Sequence, residues 1–368
     1  MRWLRRINDA IDEIVDYRAL VPLRIAAGPV VLLHLRPFLE LAADGITYRD
    51  RFWMPFVSWF PAVSADLYVV LLWVAAFCAV LVSIGLFTRF ATATTAAIVG
   101  YNLFVSQVHY HHNRTFLFVL LVGLAVVPIG RVFSLDALIA RRRGRPLPPP
   151  RARRWPLMLL RFQVAAVYFA SGFSKLVDPD WFGGTVTRIR VEWYSADAIS
   201  AGVPEAWVDL FGSAGFHAGF AKVVVLTELF IAIGLLTPRL RTAAIWVAIP
   251  FHVAIQISAS VQVFTFAALT ALVIWVAPTL GRRRVDVGQQ QHWFGVVVRW
   301  LDWTGRFAVE PGADRGIGLD DPADARSEGG AAVLRILSLL PLTFWVAAPV
   351  AAVSRRLGRS SPASEVAF

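Results

Sequence analysis

Long, unbroken apolar runs constrain this chain more than any other feature. A helix needs about 20 mostly apolar residues to cross roughly 30 Å of hydrocarbon. Nine stretches approach that length, near 18–42, 66–87, 90–108, 115–131, 156–176, 216–236, 242–260, 261–279 and 331–353. Their apolar residues are continuous rather than alternating, and backbone facing lipid must satisfy its hydrogen bonds internally, so helix is expected and sheet is not. The predicted fold is all-α, a polytopic integral membrane helix bundle with eight or nine transmembrane helices. Composition agrees, since 57% of residues are hydrophobic and 17% charged, against about 25% charged in a soluble domain. The first run carries Arg24 and Arg36 and follows seventeen residues, which marks a retained helix rather than a cleaved signal peptide.

The basic residues set an expected orientation. A net charge of +11 would suggest nucleic acid in a soluble protein, but here the arginines punctuate the apolar runs, as the positive-inside rule requires. Membrane lipid is therefore the expected partner and nucleic acid is not. Eight arginines lie between 131 and 154, against Arg188 and Arg190 in the loop 177–215. This predicts a multi-pass cell-membrane protein with a cytoplasmic N-terminus, the 132–155 loop inside and the 177–215 loop outside. The domain reading is a bundle of eight helices over 1–280 and a cytoplasmic linker over 281–330. That linker carries an amphipathic helix near 292–308 and a disordered stretch from 311. A ninth transmembrane helix over 331–353 and a tail over 354–368 follow. Pro146-Leu147-Pro148-Pro149-Pro150 reads as a stiff connection between helical halves. With Cys78 as the sole cysteine, an intramolecular disulfide, a cysteine-based zinc site and a Cys-x-x-Cys relay are excluded.

Of the 36 basic residues only Lys175 and Lys222 are lysines, and both fall in or at the end of apolar runs. Arginine keeps its proton inside a protein, whereas a desolvated lysine can release it. A chain that uses arginine almost everywhere retains lysine either where an amine must become neutral or where a side chain snorkels to the headgroups. His34, His109, His111, His112, His217 and His252 all map to the outer half of the expected bundle, as do both lysines. Ionisable groups at such depths are costly and are functional candidates. Glu228, in the middle of the sixth run, needs a proton or a cationic partner. Tyr168, Phe169 and Phe173 offer faces that can stack on a ring. His109 and His112 could share a helix face, but no carboxylate lies nearby in sequence and no metal is expected. Arg24 and Arg161, toward the inner side, read as candidates for snorkelling.

The run Tyr168-Phe169-Ala170-Ser171-Gly172-Phe173-Ser174-Lys175-Leu176, followed by Asp180-Trp181 and Gly183-Gly184, resembles the lysine motif of the vitamin K-dependent gamma-carboxylase. It is equally similar to that enzyme's bacterial relatives, the horizontally transferred transmembrane domain proteins. His111-His112-Asn113-Arg114 resembles the family's Asn/His segment with the order changed, and Glu228 and His252 are similar to acidic and histidine positions of the family. The resemblance spans roughly residues 15–280. It implies that Lys175 is the base that deprotonates a lipid-soluble quinol, of the menaquinol or vitamin K hydroquinone type. His112 would assist it, and Tyr168, Phe173, Trp181, His252, Glu228 and Asn113 would line the quinol site. The implied chemistry is carboxylation or another quinol-coupled reaction at the outer leaflet, with a lipid-soluble quinone and a small secreted peptide or redox protein as partners.

Two departures bear on that implication. Ser174-Lys175 replaces two adjacent lysines, and no counterpart of the carboxylase's large external region is expected after the ninth run. The alternative is a non-enzymatic subunit or anchor for a redox partner. It is similar to the DoxX-like proteins, whose helices also carry Gly-x-x-Lys-Leu, here Gly172 to Leu176.

Overall fold

The computed structural model describes residues 9, 11–50, 53–189, 202, 204–259, 262–275, 283–312, 316–321 and 326–359. Its helices are α1 (Val21–Ala43), α2 (Ala65–Ile84), α3 (Thr88–Phe104), α4 (His112–Val126), α5 (Leu135–Arg142), α6 (Trp155–Val177), α7 (Pro179–Phe182), α8 (Glu205–Gly212), α9 (Ala214–Leu236), α10 (Arg241–Ala259), α11 (Gln262–Ala271), α12 (His292–Leu301), α13 (Gly329–Leu337) and α14 (Phe344–Arg359). Among the described residues four segments are long and apolar enough to cross a membrane: Arg18–Ala43, Ala65–Ile84, Trp155–Val177 and Ala214–Leu236. Asn113–Val126, Arg241–Ile257 and Val263–Trp275 are shorter apolar helices. The chain divides into two units, residues 1–160 with 255–368, and residues 161–254.

In the first unit α1 packs on α2 and α11, α2 on α3, α3 on α4, and α4 on α11, closing a ring of helices. Leu35, Leu72, Ala79, Val99, Leu121 and Ala268 are fully buried within it. Arg24 does not snorkel as the sequence suggested. It is completely buried, and its guanidinium donates to the carbonyl of Phe133 at 2.5 Å. That carbonyl belongs to a residue held at φ 47°, in the left-handed region where a bulky side chain is strained. The neighbouring Asp136 accepts from the backbone N–H groups of Phe87 and Thr88 at 2.9 and 3.1 Å, capping α3 from outside because its own N-cap residue has no side-chain acceptor. A buried cation thus fixes the segment that terminates one helix and starts another.

Two short strands, β1 (Ile14–Asp16) and β2 (Arg151–Arg153), pair antiparallel with Ile14 opposite Arg153. The Tyr17 hydroxyl reinforces them by donating to the Arg153 carbonyl at 2.6 Å. The N-terminal segment and the arginine-rich loop therefore lie together.

Residues 281–330 correct the expected linker. They contain β3 (Arg283–Val287), β4 (Phe307–Pro311), β5 (Ile317–Asp320) and β6 (Ser327–Glu328), in the order β4-β3-β5-β6. The β3–β4 pair is parallel, connected through α12, and the other pairs are antiparallel. The amphipathic helix ends at Leu301, and among the described residues of the stretch read as disordered from 311, residues 311, 317–320 and 327–328 are strand. The charges that suggested disorder are paired: Arg283 with Asp321 at 2.8 Å, and Arg326 with Asp286 and Asp320 at 3.1 and 3.2 Å. The expected ninth helix over 331–353 is two helices. Its first half, α13, packs on β5 and β6, and Ala332, Ile336 and Leu340 complete a core with Val285, Phe294, Val298 and Leu319. Pro341 follows that core, and the chain is not helical again until Phe344. Arg306 donates to the Leu339 carbonyl at 2.6 Å; burial pushes its pKa down to about 10, so it remains charged at neutral pH.

Leu319 is 1% exposed at the centre of this core, so Leu319→Ala should cost about 2–5 kcal/mol through lost transfer energy and a residual cavity. Hydrogen exchange should show the β3 and β5 amides losing protection while α2 keeps its own; unchanged β3 protection would contradict the sheet packing.

Candidate functional site

The second unit holds most of the residues singled out by sequence. Tyr168, Ser171 and Lys175 recur at i, i+3 and i+7 on α6, so they share one helix face. Opposite them α9 contributes Glu228 and α10 contributes His252. Gly172 allows this approach, since a Cβ there would meet Glu228 Cβ and the Leu229 side chain at 3.1 Å.

Lys175 Nζ donates to both carboxylate oxygens of Glu228, at 2.8 Å to Oε1 and 2.7 Å to Oε2, and to Ser171 Oγ at 2.6 Å. Ser171 Oγ in turn donates to Glu228 Oε1 at 3.0 Å, closing a three-membered network. The Lys175 and Glu228 side chains are 15% and 5% exposed. Lys175 Nζ also lies 5.1 Å from the centre of the Trp181 ring, within cation–π range. About two turns back along α6 from Lys175, the Tyr168 hydroxyl and His252 Nε2 are 2.5 Å apart, both residues buried. Glu228 interacts electrostatically with Tyr168 as well, so the two pairs share a field.

The segment after Lys175 is shaped by local chemistry. Asp178 Oδ1 accepts from the backbone N–H of Asp180 and Trp181 at 2.9 and 3.2 Å, starting α7 and holding Trp181 near the lysine. Gly184 adopts φ +87°, and a Cβ there would lie 2.4–2.6 Å from the backbone of His217 and Ala218. Only glycine meets both demands. Beside it, His217 Nδ1 lies 3.2 Å from Thr187 Oγ1, both residues buried.

The predicted residues are therefore placed unequally. Lys175, Glu228, Tyr168, His252 and Trp181 come together. Phe173 does not join them: it is exposed and stacks on Phe169 at 5.9 Å, because five residues carry it about 140° round the helix from Tyr168. Lys222 is exposed, 5.4 Å from the Phe182 ring. His112 and Asn113 begin α4 in the first unit. The His112 side chain lies outside the described residues, and Asn113 donates its backbone N–H to His111 Nδ1 at 3.3 Å, a capping contact. Nearby His109 Nδ1 lies 3.1 Å from the Asn102 carbonyl, and Asn102 Oδ1 accepts from the Tyr68 hydroxyl at 2.6 Å. Among the described residues no three His, Cys, Asp or Glu side chains are grouped to hold a metal. Sequence reading missed Ser171 and Thr187; Ser171 was detectable as the hydroxyl one turn before the lysine, whereas Thr187 carries no local signal.

A buried ion pair makes a specific energetic prediction. Removing one partner leaves the other charged and unpaired, which typically costs about 3–5 kcal/mol, whereas replacing both with apolar residues is often neutral. Lys175→Met and Glu228→Met should each lower the thermal midpoint in detergent, and the double variant should recover most of the loss. A double variant as unstable as the sum of the two would show that the pair is not energetically linked.

No curated protein and no solved structure matches the chain. A family model described as the HTTM domain matches residues 13–279, a stretch that takes in the ring of helices, the Lys175 network and the Tyr168–His252 pair. The chain belongs to the HTTM domain family, whose domain is found in vitamin K-dependent carboxylase-like membrane proteins.

Proposed function

We propose that the second unit is a proton-transfer site for a lipid-soluble quinol, and that the Lys175–Glu228 pair is its acid–base centre. The observation carrying this reading is the direct contact of Lys175 Nζ with both Glu228 oxygens and with Ser171. A quinol suits the donor set, because it is an apolar ring with hydroxyl groups, and the site offers two polar pairs about two helical turns apart among apolar helices. Lys175, Ser171, Trp181 and the Tyr168–His252 pair would hold it. When bound, it supplies an acidic hydroxyl and two reducing electrons.

The chain's own part is a relay. Lys175 hands a proton from Nζ to Glu228 Oε2 and takes one from the bound hydroxyl in its place. The net result is a neutral carboxyl at Glu228 and an ammonium facing the anion that remains. Ser171 Oγ accepts from Nζ throughout and keeps the amine aimed. This arrangement differs from an isolated lysine made neutral by an apolar pocket, since the carboxylate supplies the acceptor. Carboxylation or another quinol-coupled reaction at the outer leaflet is the proposed outcome. The proposed topology has eight crossings, with the N-terminus and the 132–155 loop cytoplasmic. The second reading, a non-enzymatic membrane subunit, draws on the same contact, because a two-point ion pair also serves as a clamp between helices.

Lys175→Arg separates the two. Guanidinium preserves a two-point pair with Glu228 but does not give up its proton. The expected result is near-normal unfolding with oxidation of a lipid-soluble hydroquinone in proteoliposomes reduced by about a hundredfold or more, the usual weight of general acid–base catalysis. Full activity in Lys175→Arg, or no hydroquinone turnover by the unaltered protein, would overturn the catalytic reading. For topology, a single cysteine at position 145 in a Cys78→Ala background should resist an impermeant external reagent, and one at position 205 should react with it. The reverse pattern would invert the orientation.

A further inference from the structure

A second site lies in the first unit and shares no residue with the Lys175 network. A cavity of about 450 Å³ opens where the end of the β1 strand, the start of α5 and the turn after α12 meet, and Arg18, Arg131 and Arg141 all line it. Trp303 lines it too, and its indole Nε1 is buried with no hydrogen-bond partner among the described residues. Phe133 and Leu138 form its apolar wall.

The three guanidiniums are brought together by separate devices. Arg18 is anchored by its backbone N–H, which donates to Asp16 Oδ1 at 2.9 Å, and the turn at Gly305 closes over it, a Cβ there lying 2.8 Å from Arg18 Nη1. Arg131 uses one donor on the Pro149 carbonyl at 3.3 Å. Arg141 stands in the last turn of α5. Asp16, 3.5 Å from Arg18 Nε, offsets one charge and leaves two in excess. Like charges converging on an open cavity repel one another, so the arrangement is stabilised by an anion placed among them. Guanidinium forks match the oxygens of a phosphate, and an indole N–H is a further donor.

We propose that this cavity binds a phosphate group, supplied by the headgroup of an anionic phospholipid. The apolar wall continues from the cationic floor, as a phosphodiester attached to an acyl-bearing glycerol requires, and basic pockets beside membrane helices are suited to such headgroups. The helix just before Trp303 carries other marks of a membrane surface. On α12 the residues Trp293, Val296, Val297 and Trp300 are exposed, opposite the buried Phe294 and Val298, and Arg299 borders them. The site stands independently of the quinol reading, because it shares no residue with it.

The test uses the full-length protein in phosphatidylcholine nanodiscs doped with phosphatidylglycerol, with retained lipid counted by native mass spectrometry. The unaltered protein should keep phosphatidylglycerol with a preference of about tenfold or more over phosphatidylcholine. Arg18→Gln/Arg131→Gln/Arg141→Gln should lose that preference. The control Arg142→Gln/Arg143→Gln/Arg145→Gln, which removes equal charge outside the cavity, should keep it. Trp303→Phe, a milder change, should weaken retention several-fold without unfolding the protein, which covers the case in which the triple variant fails to fold. A parallel titration of inorganic phosphate into protein in undoped discs separates the sources: saturable binding abolished by the cavity variants, without lipid preference, assigns the site to soluble phosphate. Equal lipid retention by the cavity and control variants, with no saturable phosphate binding, would overturn the proposal.

Discussion

A charge inside an apolar helix has to find a partner, and much of this structure follows from how two such charges do so. Desolvating an ion costs several kcal/mol even after relaxation, so each charge fixes the elements that neutralise or hydrogen-bond it. In the second unit the Lys175–Glu228 pair ties α6 to α9, and the small residues Ser171 and Gly172 let the two helices come close enough to make it. In the first unit Arg24 performs the corresponding task by holding the Phe133 carbonyl. That contact maintains a left-handed backbone turn, and the turn sets Asp136 where it caps α3. Neither helix ring nor site would keep its register if these charges were free to move toward water.

The same pairing gives the site its chemical character. A lone buried lysine would have to shed its proton before it could act, and its environment would have to enforce that change. A lysine bonded to a carboxylate carries its own acceptor, so the proton it releases has a destination 2.7 Å away. Tyr168 and His252 form a second proton-bearing pair whose hydroxyl and imidazole contact each other directly. The proposed relay moves protons without exposing net charge to the surrounding apolar helices.

The long helices were legible in the sequence because continuous apolar runs admit one lipid-compatible structure; α1, α6 and α9 begin and end within about three residues of the expected limits, at the usual uncertainty of helix ends. Lys175, Glu228 and His252 were legible as ionisable residues out of place in hydrocarbon, Tyr168 as a face that can stack on a ring, and Trp181 through the resembling motif. Their pairing was not, since Glu228 lies 53 positions from Lys175 and His252 lies 84 from Tyr168, separations that no local pattern encodes. Phe173 was misjudged by reading proximity in sequence as proximity in space. The sheet was hidden for a different reason. Its strands are two to five residues long, too short for an alternating pattern to stand out, and they are held by ion pairs between residues far apart in sequence, such as Arg283 with Asp321 and Arg326 with Asp286. The apolar run 331–353 concealed a division of labour, its first half completing the sheet's core.

Strand pairing adds a constraint that hydropathy alone lacks. Ile14–Asp16 and Arg151–Arg153 are hydrogen-bonded, so they lie at the same membrane face, and the chain between them crosses an even number of times whatever its orientation. Arg18 and Trp303 line one cavity, so the chain between 153 and 303 obeys the same rule. In the proposed topology α1 to α4 meet the first condition as a set of four, and α6, α9, α10 and α11 meet the second. The chain after Trp303 returns to the sheet through α13, which leaves α14 as the one further helix before residue 360. That helix exposes Val346, Val350 and Val353 along one stripe and buries Ala347, Ala348 and Ala351 along the other. The proposed count of eight crossings places α14 along the interface, its valine stripe toward lipid and its alanine stripe toward the protein.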